Sequence, residues 1–122
     1  MTPIDITTIE QGQRLRVLAS HDKTLLAVAS IRDQLCRCCG RLRHRFARIV
    51  TARGQPARLV RQACRTLVDE LEDYAGWDAA TLQLEASEGD VVAQRVLRRY
   101  GWRAVGVLRG RRLWVVFGRV MA

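Results

Sequence analysis

The stretch Arg53-Gly54-Gln55-Pro56-Ala57-Arg58 is the first place where residue types and spacing suggest chemistry. It follows Phe46–Ala52, which reads as a strand, and precedes an amphipathic run from Arg58 to Tyr74, which reads as a helix. A strand that turns through a glycine into a helix presents unpaired backbone N–H groups at the helix's positive end, a place that suits a phosphate. Charge placement sharpens the point. The run carries Arg58, Arg61 and Arg65 at its start and Asp69, Glu70, Glu72 and Asp73 at its end, the reverse of what the macrodipole favours. Bases crowded at a helix N-terminus make sense if an anion sits there. The plain alternative is that arginine, which supplies 20 of the 21 basic residues, is spread everywhere.

A second cluster, Cys36-Arg-Cys-Cys-Gly-Arg-Leu-Arg-His44, invites a metal reading. Cys36 and Cys39 have the spacing of one ligand pair, and His44 is a third candidate. A second pair is lacking, because Cys64 falls on the apolar face of the helix that follows. No metal site is expected, and the segment reads as a loop leading into the strand.

The bulk numbers narrow the partners. A net charge of +9 and a pI near 10.9 point to an anion: nucleic acid, a phosphorylated cofactor or an acidic protein surface. With 48% hydrophobic residues, the 122 residues suffice for one domain with its own core, taken as 1–122. No apolar run is long enough to span a membrane, and Met-Thr-Pro-Ile-Asp lacks the features of a signal peptide. A cytoplasmic protein is expected, whose four cysteines need not pair.

The elements that must position these residues follow from hydrophobic period. A short edge strand is expected near Ile4–Ile9, and Arg14–Ser20 alternates as a strand. His21-Asp22-Lys23 reads as a turn, and Thr24–Ile31 as the returning strand of a hairpin. A helix capped by Asp22 and running to Leu35 is the competing reading; the hairpin is preferred. After the 58–74 helix, ended by Gly76, Ala80–Ala86 alternates as a strand. Ser87–Asp90 makes a turn and cap for a helix to Tyr100, and Gly101 stops it. Strands at Arg103–Leu108 and Leu113–Phe117 are joined through Arg109-Gly110-Arg111. The fold class is mixed α/β (α+β): a mostly antiparallel central sheet of about six strands with two main helices.

This order and these residues resemble the GNAT superfamily of acyl-CoA-dependent N-acetyltransferases, over about Arg14 to Phe117. That family places a pyrophosphate loop of the form R/Q-x-x-G-x-G/A between its fourth strand and the next helix. A second motif, near N-x-x-A-x-x-L-Y-x-x-x-G-F, is met here by Asp90, Ala93, Val96, Gly101 and Trp102 at the right spacing. The resemblance implies acetyl-CoA as cofactor. Its thioester would be held by backbone N–H groups of Ile49, Val50 and Thr51, and its pyrophosphate by Arg53, Gly54, Gln55, Ala57, Arg58 and Leu59, with Asp90 and Ala93 in the second motif. Two departures stand out. Pro56 and Arg58 occupy places where the family has small residues, although Arg58 can grip phosphate as a charged fork. The family's tyrosine, which often protonates the leaving thiolate, is Leu97 here, with Tyr100 three residues on as the substitute candidate. The family's two helices after the first strand, which help form the acceptor pocket, are expected to be missing. That leaves an open acceptor side suited to a protein amine or completed by a second subunit.

Acyl transfer needs a free amine, a stabilised oxyanion and a protonated thiolate. No Asp or Glu lies between Asp33 and Asp69, so the strand that often supplies a base in this family has none. Glu85 and His44 are the remaining candidates. Glu85 alternates opposite Leu82, Leu84 and Ala86, which reads as a solvated surface carboxylate; His44, between Arg43 and Arg45, reads as a loop histidine. The expected function is acetyl transfer from acetyl-CoA to a primary amine, on a protein acceptor, with a homodimer plausible. A catalytically degenerate CoA-binding or interaction module is one alternative. Another is a nucleic-acid binder using Arg95, Arg98, Arg99, Arg109, Arg111 and Arg112, which is less favoured because Trp77, Trp102 and Trp114 do not interleave with those arginines.

Overall fold

The computed structural model describes residues 3–12, 14–35, 43–75 and 82–119. Its elements run β1 (Asp5–Gln11), β2 (Arg14–His21), β3 (Thr24–Leu35), β4 (Arg43–Thr51), α1 (Ala57–Ala75), β5 (Leu82–Ser87), α2 (Val91–Arg99), β6 (Trp102–Arg109) and β7 (Leu113–Arg119). One sheet holds all seven strands in the order β1-β2-β3-β4-β5-β7-β6. Every neighbouring pair is antiparallel except β4 and β5. Parallel strands need a crossover, and α1 lies within the connection between them. Both helices cover one face of the sheet, α1 against β2, β3 and β4, and α2 against β4, β6 and α1. The architecture is mixed α/β as the sequence indicates, with seven strands rather than about six.

Turn chemistry decides the element that the sequence left between two readings. Asp22 and Lys23 both have positive φ, 47° and 63°, which matches the right-handed twist of a two-residue hairpin. β3 is therefore a strand, and it runs on to Leu35 because β4 pairs with it from Ala27↔Thr51 to Leu35↔Arg43. β1 ends at Gln11 and β2 starts at Arg14, a connection too short to hold a helix. The face of β1 to β4 away from α1 consequently has no helix inserted over it from that connection. Cys36, Cys38, Cys39, Gly76 and Trp77 lie outside the described residues, as does the side chain of His44. No helix among the described residues is long and apolar enough to cross a membrane.

Alternation assigns the two faces. Leu15, Val17 and Ala19 on β2, Ala27, Ala29 and Ile31 on β3, and Ala47 and Ile49 on β4 turn toward the helices and are buried. α1 meets them with Val60, Ala63, Cys64, Leu67, Val68 and Leu71, a stripe at helical spacing whose members are all 4% exposed or less. Burial of each such leucine stabilises by about 1.5–3 kcal/mol. The small alanines on the strands let α1 lie close to the sheet. That packing fixes where the N-terminus of α1 sits relative to the end of β4.

Candidate functional site

At the end of β4 the Ala52 N–H still donates to the Leu26 carbonyl at 2.8 Å, and then the chain leaves the sheet. Gly54 makes the turn with φ 77°, which a side chain would strain. α1 begins at Ala57, with the Pro56 carbonyl accepting from the N–H groups of Leu59 (3.0 Å) and Val60 (3.1 Å). That leaves the N–H groups of Ala57 and Arg58 without an intrahelical partner. No acid stands in the first turn to offset the dipole, and Arg53 through Arg58 are all exposed.

From this end a groove of about 210 Å³ runs between the two helices. Arg61 and Arg65 from α1 face Arg95 and Arg99 from α2 across it, over Ala57 and Val96. Within each helix the two arginines are four residues apart, a like-charge spacing that costs a few tenths of a kcal/mol, about 0.2–0.5. Four guanidinium groups around one groove, opening beside an uncapped helix N-terminus, have the charge and donors that suit a polyanion.

The strands part next to it. β4 and β5 pair from Arg45↔Leu82 to Ile49↔Ala86, and beyond that β4 continues to Thr51 without a β5 partner. Asp90 occupies the divergence as the cap of α2. Its Oδ1 accepts from the Ala93 N–H at 3.1 Å, and its Oδ2 accepts from the Thr51 hydroxyl at 2.7 Å and the Thr51 N–H at 3.3 Å. The turn before it is braced by Gln94, whose Nε2 donates to the carbonyls of Ser87 (2.9 Å) and Glu88 (2.7 Å). Strand alternation turns the N–H groups of Ile49 and Thr51 toward β5 and that of Val50 toward β3, as it does for Ala52. Of those three donors, only Thr51's lies past the last β4–β5 pair, and Asp90 holds it. Ala93 is fully buried, and Leu59 packs half-buried against the core.

Glu85 is not the solvated carboxylate that its alternation suggested. It does point away from the helices, yet it is completely buried. Arg48, its cross-strand neighbour, donates from Nε to Oε2 at 3.3 Å and lies over the Trp114 ring at 3.9 Å. Glu85 therefore sits beneath a guanidinium–indole stack that keeps water off it, while Arg48 itself stays partly exposed. Glu85 Oε1 has no hydrogen-bond partner among the described residues. Cys64, also buried, has its thiol pushed up to about 12, first by burial and then by the negative charge of Asp90, so it stays protonated and inert.

No family profile matches the sequence, and no curated protein matches it. Solved structures do. An acetyltransferase of the GNAT family from Streptococcus pneumoniae is similar with a TM-score of 0.58 at 15% identity, over 93% of this chain and 70% of that one. NAA60 from Arabidopsis thaliana, in complex with a bisubstrate analogue, is similar with a TM-score of 0.55 at 16% identity, over 87% and 74%. The Bacillus subtilis acetyltransferase in complex with CoA gives 0.58 at 8% identity, over 98% and 100%. The chain has the GNAT fold. At these identities the likeness is one of fold.

The stretch that resembles the second GNAT motif is put to clear structural use. Asp90 caps α2, Ala93 and Val96 line its buried side, Gly101 turns the chain with φ 88°, and Trp102 is buried at the start of β6. Leu97, at the place of the GNAT tyrosine, is wholly buried. The structure does not bring Tyr100 to the strand divergence. It lies ten residues beyond Asp90, about 15 Å along a helix axis, and its hydroxyl donates to the Arg65 carbonyl at 3.5 Å. Burial, followed by the hydrogen bond to and charge of Asp69, raises its pKa. His44 lies on β4 opposite Gln34. Sequence reasoning missed Arg48 and Trp114 as partners of Glu85, and did not join Arg61 and Arg65 to Arg95 and Arg99. The reversed charge order along α1 was the one signal of the groove.

Proposed function

We propose that this chain is an N-acetyltransferase that moves an acetyl group from acetyl-CoA to a primary amine on a protein by direct transfer. The arginine groove carries this reading. CoA bears three phosphate groups, and the groove offers four guanidinium groups beside the free N–H groups of Ala57 and Arg58. Arg53, Gly54, Gln55 and Arg58 would hold the pyrophosphate, with Arg61, Arg65, Arg95 and Arg99 alongside. Acetyl-CoA, once bound, supplies an activated carbonyl. The Thr51 N–H and hydroxyl, both now given to Asp90, are the donors its oxygen would recruit at the strand divergence.

Glu85 is the residue to take the proton from the amine. Its Oε1 is buried and lacks a partner, so an amine that enters as the Arg48 side chain swings aside gives it the hydrogen bond it does not have. With Leu97 buried, the thiolate proton would come from solvent. The same Leu97, and the hold of Asp90 on Thr51, favour one alternative: a CoA-binding module without turnover. Calorimetric titration with acetyl-CoA tests the first half. One-to-one binding is expected, weakened about tenfold by Arg61→Ala or Arg95→Ala, the loss of one charged hydrogen bond. No binding to the parent protein sinks the proposal. Mass gain on an acceptor, lost in Glu85→Gln with acetyl-CoA binding retained, separates the enzyme from the module.

A further inference from the structure

The face of the sheet away from the helices carries a second basic groove. It holds about 220 Å³ and is lined by Arg14 and Arg16 on β2, Ser30, Ile31 and Arg32 on β3, and Arg48 on β4. Arg14 stands directly opposite Arg32, and Ser30 lies between Arg16 and Arg48. Like charges placed directly across strands destabilise a sheet. Among the described residues, Arg14, Arg16 and Arg32 form no ion pair, and Arg48 has only Glu85. The groove and Glu85 are contiguous, because Arg48 belongs to both.

We propose that this groove is the docking site for an acidic peptide, holding carboxylates that follow the amino group being presented to Glu85. The inference rests on the acetyltransferase reading for the role of Glu85, and on the groove alone for the acidic class. The site becomes bipolar when an acid draws Arg48 aside: the partnerless carboxylate oxygen of Glu85 is then uncovered at one end, with arginines at the other. An amine followed by acids matches that polarity. A nucleic acid, anionic throughout, would press phosphate against Glu85, and no aromatic residue lines the groove to stack a base. The span fits a peptide as well. From β5 to β2 is three strand spacings, about 14 Å, the reach of about four extended residues. Arg48 couples the two ends, since an acid docked in the groove competes with Glu85 for its guanidinium.

Calorimetry on the whole chain without cofactor tests this. The probes are a hexapeptide with a free amino terminus and acids at positions two to four, its Asn/Gln isostere, its N-acetylated form, and a single-stranded hexanucleotide. The acidic peptide is expected to bind at least tenfold tighter than the isostere and to weaken severalfold when N-acetylated. The double variant Arg16→Gln/Arg32→Gln should erase the preference for acid. Equal affinity for acidic and neutral peptides, a preference surviving in the double variant, or tighter binding of the oligonucleotide each overturns the proposal. Acetyl-CoA titrated into the same double variant keeps the two readings apart. Its affinity should be unchanged, and if acetyl-CoA fails to bind at all while the acidic preference stands, the cofactor reading falls and the groove does not.

Discussion

Asp90 joins β4 to α2 through one carboxylate, and its removal has a calculable cost. Asp90→Ala removes a helix cap, about 1 kcal/mol. It also removes two hydrogen bonds from Thr51 to a charged acceptor, each about 1 kcal/mol where both residues are partly exposed. The sum is about 3 kcal/mol. Unfolding entropy of about 2.1 cal/mol/K per residue over 122 residues converts this to a fall in Tm of about 12 °C. Asp90→Asn keeps an acceptor for the Ala93 N–H and loses only part of the hold on Thr51, so about 4 °C is expected. Thr51→Val should cost about 1 kcal/mol alone and add nothing to Asp90→Ala, because the two share one interaction. Thermal unfolding followed by far-UV circular dichroism reads all of these. A shift below about 4 °C for Asp90→Ala, equality of the Ala and Asn variants, or full additivity with Thr51→Val would refute the two-sided clamp.

Four further outcomes follow from the same geometry. Cys64 holds its proton in the folded state to about 12, against an ordinary 9.0, so the unfolded chain releases that proton first. The Cys64 contribution to stability is constant below pH 9 and falls above it by up to about 1.4 kcal/mol per pH unit, the raised pKa of Tyr100 adding the same sign at higher pH. In denaturant melts, Cys64→Ala should lose stability less steeply than the parent between pH 9 and 10; identical slopes would contradict the assignment. Tyr100→Phe should leave acetyl transfer within about twofold, since its hydroxyl serves α1, and a hundredfold loss would restore it as an acid. Arg48→Leu should destabilise by about 2–3 kcal/mol by leaving Glu85 buried and unpaired, and Arg48→Leu/Glu85→Leu should recover most of it. A double variant as unstable as Arg48→Leu would mean that the pair is not the cause. Leu67→Ala, under α1, should cost about 2–5 kcal/mol in the same melts, and a cost under 1 would mean that α1 does not close the core.

Much of this was legible because local period and fold agree. The alternation of Arg14–Ser20 and of Leu82–Ala86, the helical stripe from Val60 to Leu71 and the Asp90 cap each depend on neighbours a few residues away. What stayed hidden depends on long-range pairing. Alternation correctly turned Glu85 away from the helices, but facing away from the core is not the same as facing water. Only the β4–β5 register, which brings Arg48 over a residue 37 positions later, shows the lid. The groove of Arg61, Arg65, Arg95 and Arg99 likewise appears only once α1 and α2 lie side by side. Tyr100 was attractive by its distance in sequence from the motif position, but three residues carry it on to the cap of α2 and the wall of α1.

The two-residue connection between β1 and β2 has a consequence for how this chain can change. On β2, β3 and β4 the residues Leu15, Val17, Ala27, Ala29, Ala47 and Ile49 build the core, while Arg14, Arg16, Ser30, Arg32 and Arg48 between them line the basic groove, so folding and recognition are written on alternate letters of the same strands. A substitution at Arg14, Arg16 or Arg32 alters what the face attracts without entering the packing beneath α1. Such a surface can drift from one partner to another by single steps, each leaving a folded protein behind.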